Sequence, residues 1–281
     1  MAGVTSIISN VIPITDSEFR HICDIVYENF GISLGESKKS LVIGRLQKVL
    51  RARKFKKFQE YIDYLHEHPE ALTELANRVS TNHTFFYREY DHFEIFEKEL
   101  LPEIKDLRIK QGKRKIKLWC AAASKGDEPY TIMIHLMRFL GRDYSLWETG
   151  LLATDISEDA LREAIKGAYL PERVEKVDKI TLGEYFDYEN GMYVVKDVLR
   201  NEIMFKKFNL MTPKFPFSGD FDAIFCRNVM IYFDEQTKED LAKKMFDQLR
   251  PGGYLFVGHS ETLACTHAPF KHVKSAIYQK A

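Results

Sequence analysis

Four places in this chain combine residue types that could do chemistry. Asp127 and Glu128 follow the small-residue run Ala121-Ala122-Ala123-Ser124-Lys125-Gly126. Small residues let such a turn approach a ligand closely, and Gly126 can supply a left-handed conformation. The spacing is not GxGxxG, which argues against a pyrophosphate-binding dinucleotide site. Acids at a helix start complement its dipole and would repel a phosphate. They suit a cationic ligand. Asp155 closes the apolar run Leu151-Leu152-Ala153-Thr154. An acid there can accept both hydroxyls of a ribose, or can cap a helix ahead of Ser157. Arg227 and Asn228 follow an apolar run at 221–226, where a buried sheet would not tolerate them unpaired. Asn209 and Leu210 follow a fourth run, 205–208. No metal site is expected: His66 and His68 flank Glu67, and that spacing points them apart on a helix.

The elements that must hold these residues fall into two textures. Phe19, Ile22, Val26 and Phe30 share one helical stripe, with Thr15, Asp16 and Ser17 as candidate caps and Gly31 as a stop. A second helix is expected over 37–52 with Leu41, Leu46 and Leu50 among its apolar positions. A third carries Phe58, Tyr61, Ile62 and Leu65 and ends near Pro69. A fourth carries Leu72, Leu75, Ala76 and Val79. After a polar break at 80–84, a long helix holds Phe93, Phe96, Leu100 and Ile104. From Gln111-Gly112-Lys113-Arg114 onward strands and helices alternate. Strands are expected at 116–120, 150–154, 221–226 and 254–257, and helices at 127–139, 157–166 and 235–249. Pro251-Gly252-Gly253 reads as a turn, and 270–273 with 276–278 as a terminal hairpin. The alternation implies a mostly parallel sheet with helices on both faces. It fails between 185 and 208. There Tyr193-Val194-Val195 and Ile203-Met204-Phe205 look like strands near an Asn190-Gly191 turn. They form either a small β excursion inserted into, or running back into, the main sheet, or a plain hairpin connection. In a doubly wound sheet, ligands bind beyond the carboxyl ends of the strands, where all four chemical segments lie.

Composition narrows the classes. The chain has 281 residues, with 41 Lys+Arg against 41 Asp+Glu and 45% hydrophobic residues. Disorder as the main state needs lower hydrophobicity and higher net charge. A generally polybasic nucleic-acid binder needs a basic excess. No apolar run reaches the roughly 18 residues of a membrane span. Residues 1–15 carry no charge but lack the basic start of a signal peptide. Cys23, Cys120, Cys226 and Cys265 show no CxxC spacing, which fits four free thiols in a reducing cytoplasm. Charge is unevenly spread. Lys38, Lys39, Arg45, Lys48, Arg51, Arg53, Lys54, Lys56 and Lys57 occur with no acid among them. They form either a solvated face or a docking surface.

A ribose-binding acid without a phosphate loop suggests S-adenosylmethionine, which has a ribose, an adenine, a positive sulfonium and no phosphate. The same segments resemble the chemotaxis receptor methyltransferases, the CheR family. The matching residues are Thr81-Asn82-His83-Thr84-Phe85-Phe86-Tyr87-Arg88-Glu89, the stretch 119–130 with its Gly-Asp-Glu-Pro-Tyr core, Ala153-Thr154-Asp155-Ile156-Ser157, Cys226-Arg227-Asn228-Val229-Met230-Ile231-Tyr232-Phe233 and Gly258-His259-Ser260-Glu261. The resemblance implies an α/β fold: an S-adenosylmethionine-dependent methyltransferase (Rossmann-like) sheet, a helical N-terminal domain and a small antiparallel β subdomain. It suggests a helical receptor-docking domain and linker at 1–90 and a methyltransferase domain at 91–281, with the subdomain at about 180–207.

The activity so implied is methyl transfer from S-adenosylmethionine to glutamate side chains of a chemoreceptor's cytoplasmic helices, leaving S-adenosylhomocysteine and glutamyl methyl esters. By motif matching, Asn82, Thr84, Arg88, Glu128, Asp155, Asn209, Leu210, Arg227 and Asn228 line the cofactor pocket. Arg88 and Tyr232 are the candidates for orienting the substrate carboxylate; the alternatives are a structural ion pair of Arg88 with Glu89 or another acid, and a packed core ring for Tyr232. Lys48, Arg51, Arg53 and Lys54 would dock acidic receptor helices. The stretch 186–192 is short where tether-binding relatives carry a longer glycine-rich loop, which argues against binding of a receptor's C-terminal tether peptide. A cytoplasmic monomer is expected, without nucleic acid and without membrane insertion. The rival readings are a nucleic-acid methyltransferase, which would use the basic helix on phosphates, and a non-catalytic S-adenosylmethionine-binding signalling adaptor. Exocyclic-amine methylases carry an Asn/Asp-Pro-Pro-aromatic motif where this chain has Arg227-Asn228-Val229-Met230.

Overall fold

The computed structural model describes residues 11–80, 82–263 and 267–281. The chain divides into two compact units, Met1–Thr81 and Asn82–Ala281. The division falls ahead of the boundary after residue 90 drawn from the sequence, so the segment from Asn82 folds with the second unit.

The first unit is helical: α1 (Asp16–Phe30), α2 (Lys39–Ala52), α3 (Phe58–Glu67) and α4 (Leu72–Val79). Thr15 starts α1 with a capping box, its hydroxyl accepting from the Glu18 amide at 3.2 Å while Glu18 Oε2 accepts from the Thr15 amide at 2.8 Å. Gly31 stops it at φ 68°, a left-handed conformation that a side chain resists. Phe19, Ile22 and Val26 of α1 join Val42, Leu46, Val49 and Leu50 of α2 among the unit's buried residues. Leu41, expected among the apolar positions of α2, is exposed, and Val42 and Val49 hold the buried stripe instead.

The second unit begins with α5 (Tyr90–Ile95), a π-helical turn over Phe96–Leu100 and α6 (Leu101–Lys110). Alternation follows: β1 (Lys115–Cys120), α7 (Asp127–Leu140), β2 (Glu148–Asp155), α8 (Glu158–Lys166), β3 (Ala168–Tyr169), α9 (Lys179–Tyr185), β4 (Phe186–Glu189), β5 (Met192–Val195), α10 (Asp197–Arg200), β6 (Ile203–Lys207), β7 (Phe221–Phe225), α11 (Glu235–Gln248), β8 (Leu249–Phe256), β9 (Phe270–Lys274) and β10 (Ile277–Lys280). The main sheet has the order β6-β2-β1-β7-β8-β10-β9. Its first five strands run parallel, and β10 and β9 close it antiparallel. The chain leaves β1 toward β2 on one side and later returns to β7 on the other. That makes the carboxyl end of β1 the topological switch point, where ligands bind in such sheets. Cys120 pairs with Ala153 of β2 and Phe225 of β7, so all three strand ends open on one edge.

Two expectations are corrected here. The segment 203–207 is not part of the subdomain drawn to about 207; it runs back into the main sheet, one of the two courses the sequence allows for the excursion, with Leu151 to Asp155 paired against Ile203 to Lys207. The small antiparallel sheet is β3-β5-β4, whose third strand, Ala168–Tyr169, is too short to show a period. Asn190 and Gly191, both at positive φ, form the two-residue turn of its hairpin. Pro251-Gly252-Gly253 is not a turn ahead of a strand but an irregularity inside β8, where the register shifts between Phe221 and Ala223. A Cβ on Gly253 would lie 3.0 Å from the Phe221 carbonyl oxygen, so the close strand approach requires glycine.

Below the site, Asp222 anchors the sheet. It is buried, and it accepts from Arg108 Nε at 2.9 Å, Arg250 Nε at 2.5 Å and the Lys117 amide at 3.0 Å. Cys23, Cys120 and Cys226 are free thiols, and Cys265 lies outside the described residues.

Candidate active site

The turn after β1 is tightly built. Gly126 sits at φ 95°, and a Cβ there would meet the Tyr169 hydroxyl at 2.7 Å and Ala164 Cβ at 2.9 Å. Tyr169 donates its hydroxyl to the Lys125 carbonyl at 2.7 Å. Asp155 Oδ2 accepts from the Ser124 amide and Oδ1 from the Ser157 amide, both at 2.8 Å. The Asp155 side chain therefore ties the β1 turn to the end of β2. Ser157, not Asp155, caps α8, its hydroxyl accepting from the Ala160 amide at 3.2 Å. Burial pushes the Asp155 carboxyl above its ordinary value, against the pull of the backbone amides of Ser157 and Ser124. An ionised carboxylate has about four lone-pair sites, so beyond the amides of Ser157, Ser124 and Ile156 it keeps acceptor capacity for a hydroxyl donor. The buried Ser124 hydroxyl beside it has no partner among the described residues. Asn209 and Leu210 lie at the same edge, because Phe208 donates its amide to the Asp155 carbonyl at 2.9 Å. The donor set fits a ribose, and the turn offers no glycine-rich phosphate cradle.

The second half of the site is organised by Arg227. Its side chain has no solvent exposure. Nη1 donates to Glu128 Oε2 at 2.7 Å; Nη2 donates to the Arg88 carbonyl at 2.5 Å and to Glu89 Oε2 at 3.0 Å. The guanidinium lies 5.0 Å over the Phe93 ring. Asn228, at φ 57°, donates Nδ2 to Glu89 Oε1 at 3.0 Å. Glu261 accepts from the amides of Asn228 at 2.8 Å, Ile231 at 3.1 Å and Gly258. It thereby shapes the 226–233 loop that carries Tyr232. A Cβ on Gly258 would sit 2.3 Å from Asn228 Nδ2.

The acids at the start of α7 do not stand as free negative charge. Asp127 is gripped by Arg173, with Nη2 2.6 Å from Oδ1 and 2.5 Å from Oδ2. Glu128 holds Arg227 and faces Cys120 Sγ at 3.5 Å. Burial raises both carboxyls, with Arg173 and Arg227 opposing it. Asp127 is thus paired with Arg173, and Glu128 shares Arg227 with Glu89. What remains for a sulfonium is Glu128, whose side chain is 12% exposed.

The structure brings Arg88, Glu128, Arg227 and Asn228 into one network and Asp155, Asn209 and Leu210 to the neighbouring edge. The β1 turn joins the two. Arg88 donates Nη1 to the His83 carbonyl at 2.9 Å, and its charge reaches Glu128. Glu89 itself binds Arg227 and Asn228, so the acid nearest Arg88 in sequence is engaged elsewhere, and the acid its charge acts on is Glu128. Asn82 and Thr84 are half-buried at the head of the unit. Tyr232 closes a short turn at Met230–Tyr232 and is half-buried. Glu89, Glu261, Ser124 and Arg173 were not found from the sequence. Glu89, Ser124 and Glu261 lie inside the sequence motifs, and Arg173 lies outside them.

In the first unit Lys48, Arg51 and Lys54 are exposed. Arg53 is committed to Glu74, at 2.9 and 3.2 Å, and to the Tyr64 hydroxyl at 2.7 Å. Arg45 donates to the Val79 and Ser80 carbonyls at the end of α4. The basic run is acid-free in sequence but not in space.

Comparison with known proteins agrees with this arrangement. The family model described as CheR methyltransferase, SAM binding domain, matches residues 82–279, and the one described as CheR methyltransferase, all-alpha domain, matches 17–80. A chemotaxis protein methyltransferase of Borreliella burgdorferi is 40% identical over 96% of this chain and 96% of its own length. Those of Salmonella typhimurium and Escherichia coli are 35% and 34% identical, covering 94% and 93% of this chain and 91% of each relative. Two family matches that together span both units, and relatives aligned nearly end to end over the motifs that build the Arg227 network and the Asp155 edge, place the chain in the CheR methyltransferase family.

Proposed function

We propose that the protein methylates glutamate side chains of chemoreceptor cytoplasmic helices, using S-adenosylmethionine, and that it acts in the cytoplasm where those helices lie. The observation that carries this is Asp155: a buried acid with spare acceptor capacity at the sheet's switch point, where a nucleotide enzyme would need a phosphate loop. S-adenosylmethionine supplies an electrophilic methyl carbon on a positive sulfonium. A receptor glutamate has a reference pKa near ~4.3 and is already an anion at neutral pH, so the site needs no strong general base. Its carboxylate oxygen forms the new bond to carbon while the carbon–sulfur bond breaks and its electron pair stays on sulfur as a neutral thioether. What the chain must do is hold the reactants in line, which is worth on the order of 7–11 kcal/mol in favourable systems.

Roles follow from the contacts. Asp155, with Asn209 and Leu210, takes the nucleoside end. Glu128 faces the methionine end, and Asn82 and Thr84 complete the wall. Arg227 and Asn228 fix the geometry between them. Arg88 keeps donors beyond its bond to His83 and is the first candidate to orient the substrate carboxylate, with Tyr232 the second. Incubation with methyl-labelled S-adenosylmethionine and receptor cytoplasmic fragments tests the whole reading. Label released by mild base marks a carboxyl ester; base-stable label, or label on nucleic acid, overturns it.

Receptor docking is assigned to the first unit through the exposed Lys48, Arg51, Arg53 and Lys54, of which Arg53 also holds Glu74. Complementary charge mainly raises association rate and sets orientation. Reversing Lys48, Arg51 and Lys54 to glutamate is expected to slow receptor methylation about ten- to hundredfold at low salt. The defect should shrink as salt rises, and S-adenosylhomocysteine affinity should stay unchanged. Equal rates for parent and variant at low salt would remove the assignment. The tight Asn190-Gly191 turn supports a protein that does not bind a receptor tether peptide. Calorimetry with a receptor tail peptide is expected to show heats of dilution alone.

A further inference from the structure

We propose that Glu89, His92 and His259 form a binding site for a divalent transition ion of the zinc class. Each offers one ligand atom, and the three atoms lie within 4.8 Å of one another. They come from the start of the second unit and from the loop after β8, which the fold brings together: the His259 amide donates to Glu89 Oε2 at 3.2 Å. The two imidazoles meet edge to face with centroids 4.4 Å apart.

His92 carries the argument. Its side chain is fully buried, and Nδ1 has no hydrogen-bond partner. Nε2 lies 3.3 Å from the Ser275 carbonyl oxygen. A carbonyl only accepts, so Nε2 must bear the proton. In the neutral ring Nδ1 is then a bare lone pair, and it faces Glu89 Oε2 at 3.7 Å. Two acceptors facing each other without a proton between them is an unfavourable arrangement that a bound cation resolves. Protonating His92 would resolve it too. However, burial first, then Arg227 and His259, push its pKa down to about 4. A neutral histidine whose far nitrogen is held by a carbonyl is the form in which histidine ligates metals.

The surroundings suit a dication. His259 Nε2 is 3.0 Å from Asp91 Oδ2, the carboxylate–histidine pairing that orients metal ligands. Glu89 and Asp91 supply two carboxylates at the cluster, and Arg227, the guanidinium in contact with it, is shared between Glu89 and Glu128. Two imidazoles and a carboxylate favour zinc-class ions over magnesium or calcium, which take oxygen donors. His259 is partly exposed, so an ion can enter from solvent. Glu89 also holds Arg227 and Asn228, so a metal drawing on it would loosen the cofactor side. That coupling, unlike the site itself, rests on the cofactor reading above.

The test uses the full-length chain stripped with a chelator and titrated with Zn2+ and, separately, Co2+. One saturating equivalent is expected. Bound Co2+ should show ligand-field bands without the near-ultraviolet charge-transfer band of a thiolate ligand. His259→Ala and Asp91→Asn, both on partly exposed side chains, should keep the fold and raise Kd about 10–100-fold. An unchanged Kd in His259→Ala, a thiolate band, or no saturation below about a millimolar would each overturn the site. Zn2+ is also expected to weaken S-adenosylhomocysteine binding in the parent and not in His259→Ala. If Zn2+ binds as described but leaves that affinity unchanged, the coupling falls and the site stands.

Discussion

Replacing Arg227 with alanine is expected to destabilise the second unit by about 3–5 kcal/mol, the cost of breaking a buried ion pair from one side. The guanidinium is the common partner of Glu89 and Glu128, and it also takes the Arg88 carbonyl. Its removal leaves two largely buried carboxylates facing each other, with Asn228 the remaining side-chain donor to Glu89. For a unit of this size each kcal/mol lowers the melting temperature by roughly 2–4 °C. Thermal unfolding followed by circular dichroism should therefore drop by roughly 6–20 °C. The companion variant separates charge from packing. Arg227→Ala with Glu128→Gln removes one stranded acid, and part of the lost stability should return. A loss under about 1 kcal/mol in the single variant would mean that water enters and solvates the acids, and the network would then not be the rigid frame proposed for the cofactor.

What could be read from the sequence was what local rules govern. Thr15, one of three adjacent candidate caps, and Gly31 are short-range signals, and the two ends of α1 fall at them. The apolar runs ending at Cys120 and Asp155 gave the parallel strands because buried strands need little more than an apolar stretch. Long-range partnerships left no such mark. Arg53 and Glu74 are 21 residues apart, so the acid-free run around Arg53 overstated its free charge. Arg173 and Asp127 are 46 apart, and nothing at Asp127 announces its arginine. The segment 203–207 could be read as part of a hairpin because period alone does not say which sheet a strand joins. Pro251-Gly252-Gly253 carries every local sign of a turn, yet the pairing of β7 with β8 on both sides of it holds it in the sheet. Glu89 and Glu261 sit inside the sequence motifs, but their roles exist only in three dimensions. Glu261 accepts backbone amides from positions 228 and 231, about thirty residues back.

Asp155→Ala is expected to weaken S-adenosylhomocysteine binding about 10–100-fold, with the fold retained. Hydrogen bonds to a charged acceptor contribute roughly 1.5–3 kcal/mol each. One ribose hydroxyl on the carboxylate then gives about that much, at 1.4 kcal/mol per tenfold. The structural cost is smaller, because the amides of Ser124 and Ser157 lose an acceptor at a site that water can reach once the side chain is gone. Asparagine is no gentle replacement. Both Asp155 oxygens accept from backbone N–H groups, so the amide nitrogen of Asp155→Asn would face a donor whichever way it turned. Asparagine should therefore approach alanine in effect. Acid should produce the same loss in the parent. The carboxyl is raised above its ordinary 3.8, so protonation begins at a higher pH than for a free aspartate. As pH falls through that raised value an acceptor becomes a donor and affinity drops, whereas above it binding is flat. Calorimetric titrations across pH on parent and Asp155→Ala decide the matter. The parent should lose affinity on acidification, and the variant, already weak, should not follow the same curve. A variant within about fivefold of the parent at neutral pH would place the ribose elsewhere and leave Asp155 as the tie between β2 and the turn after β1.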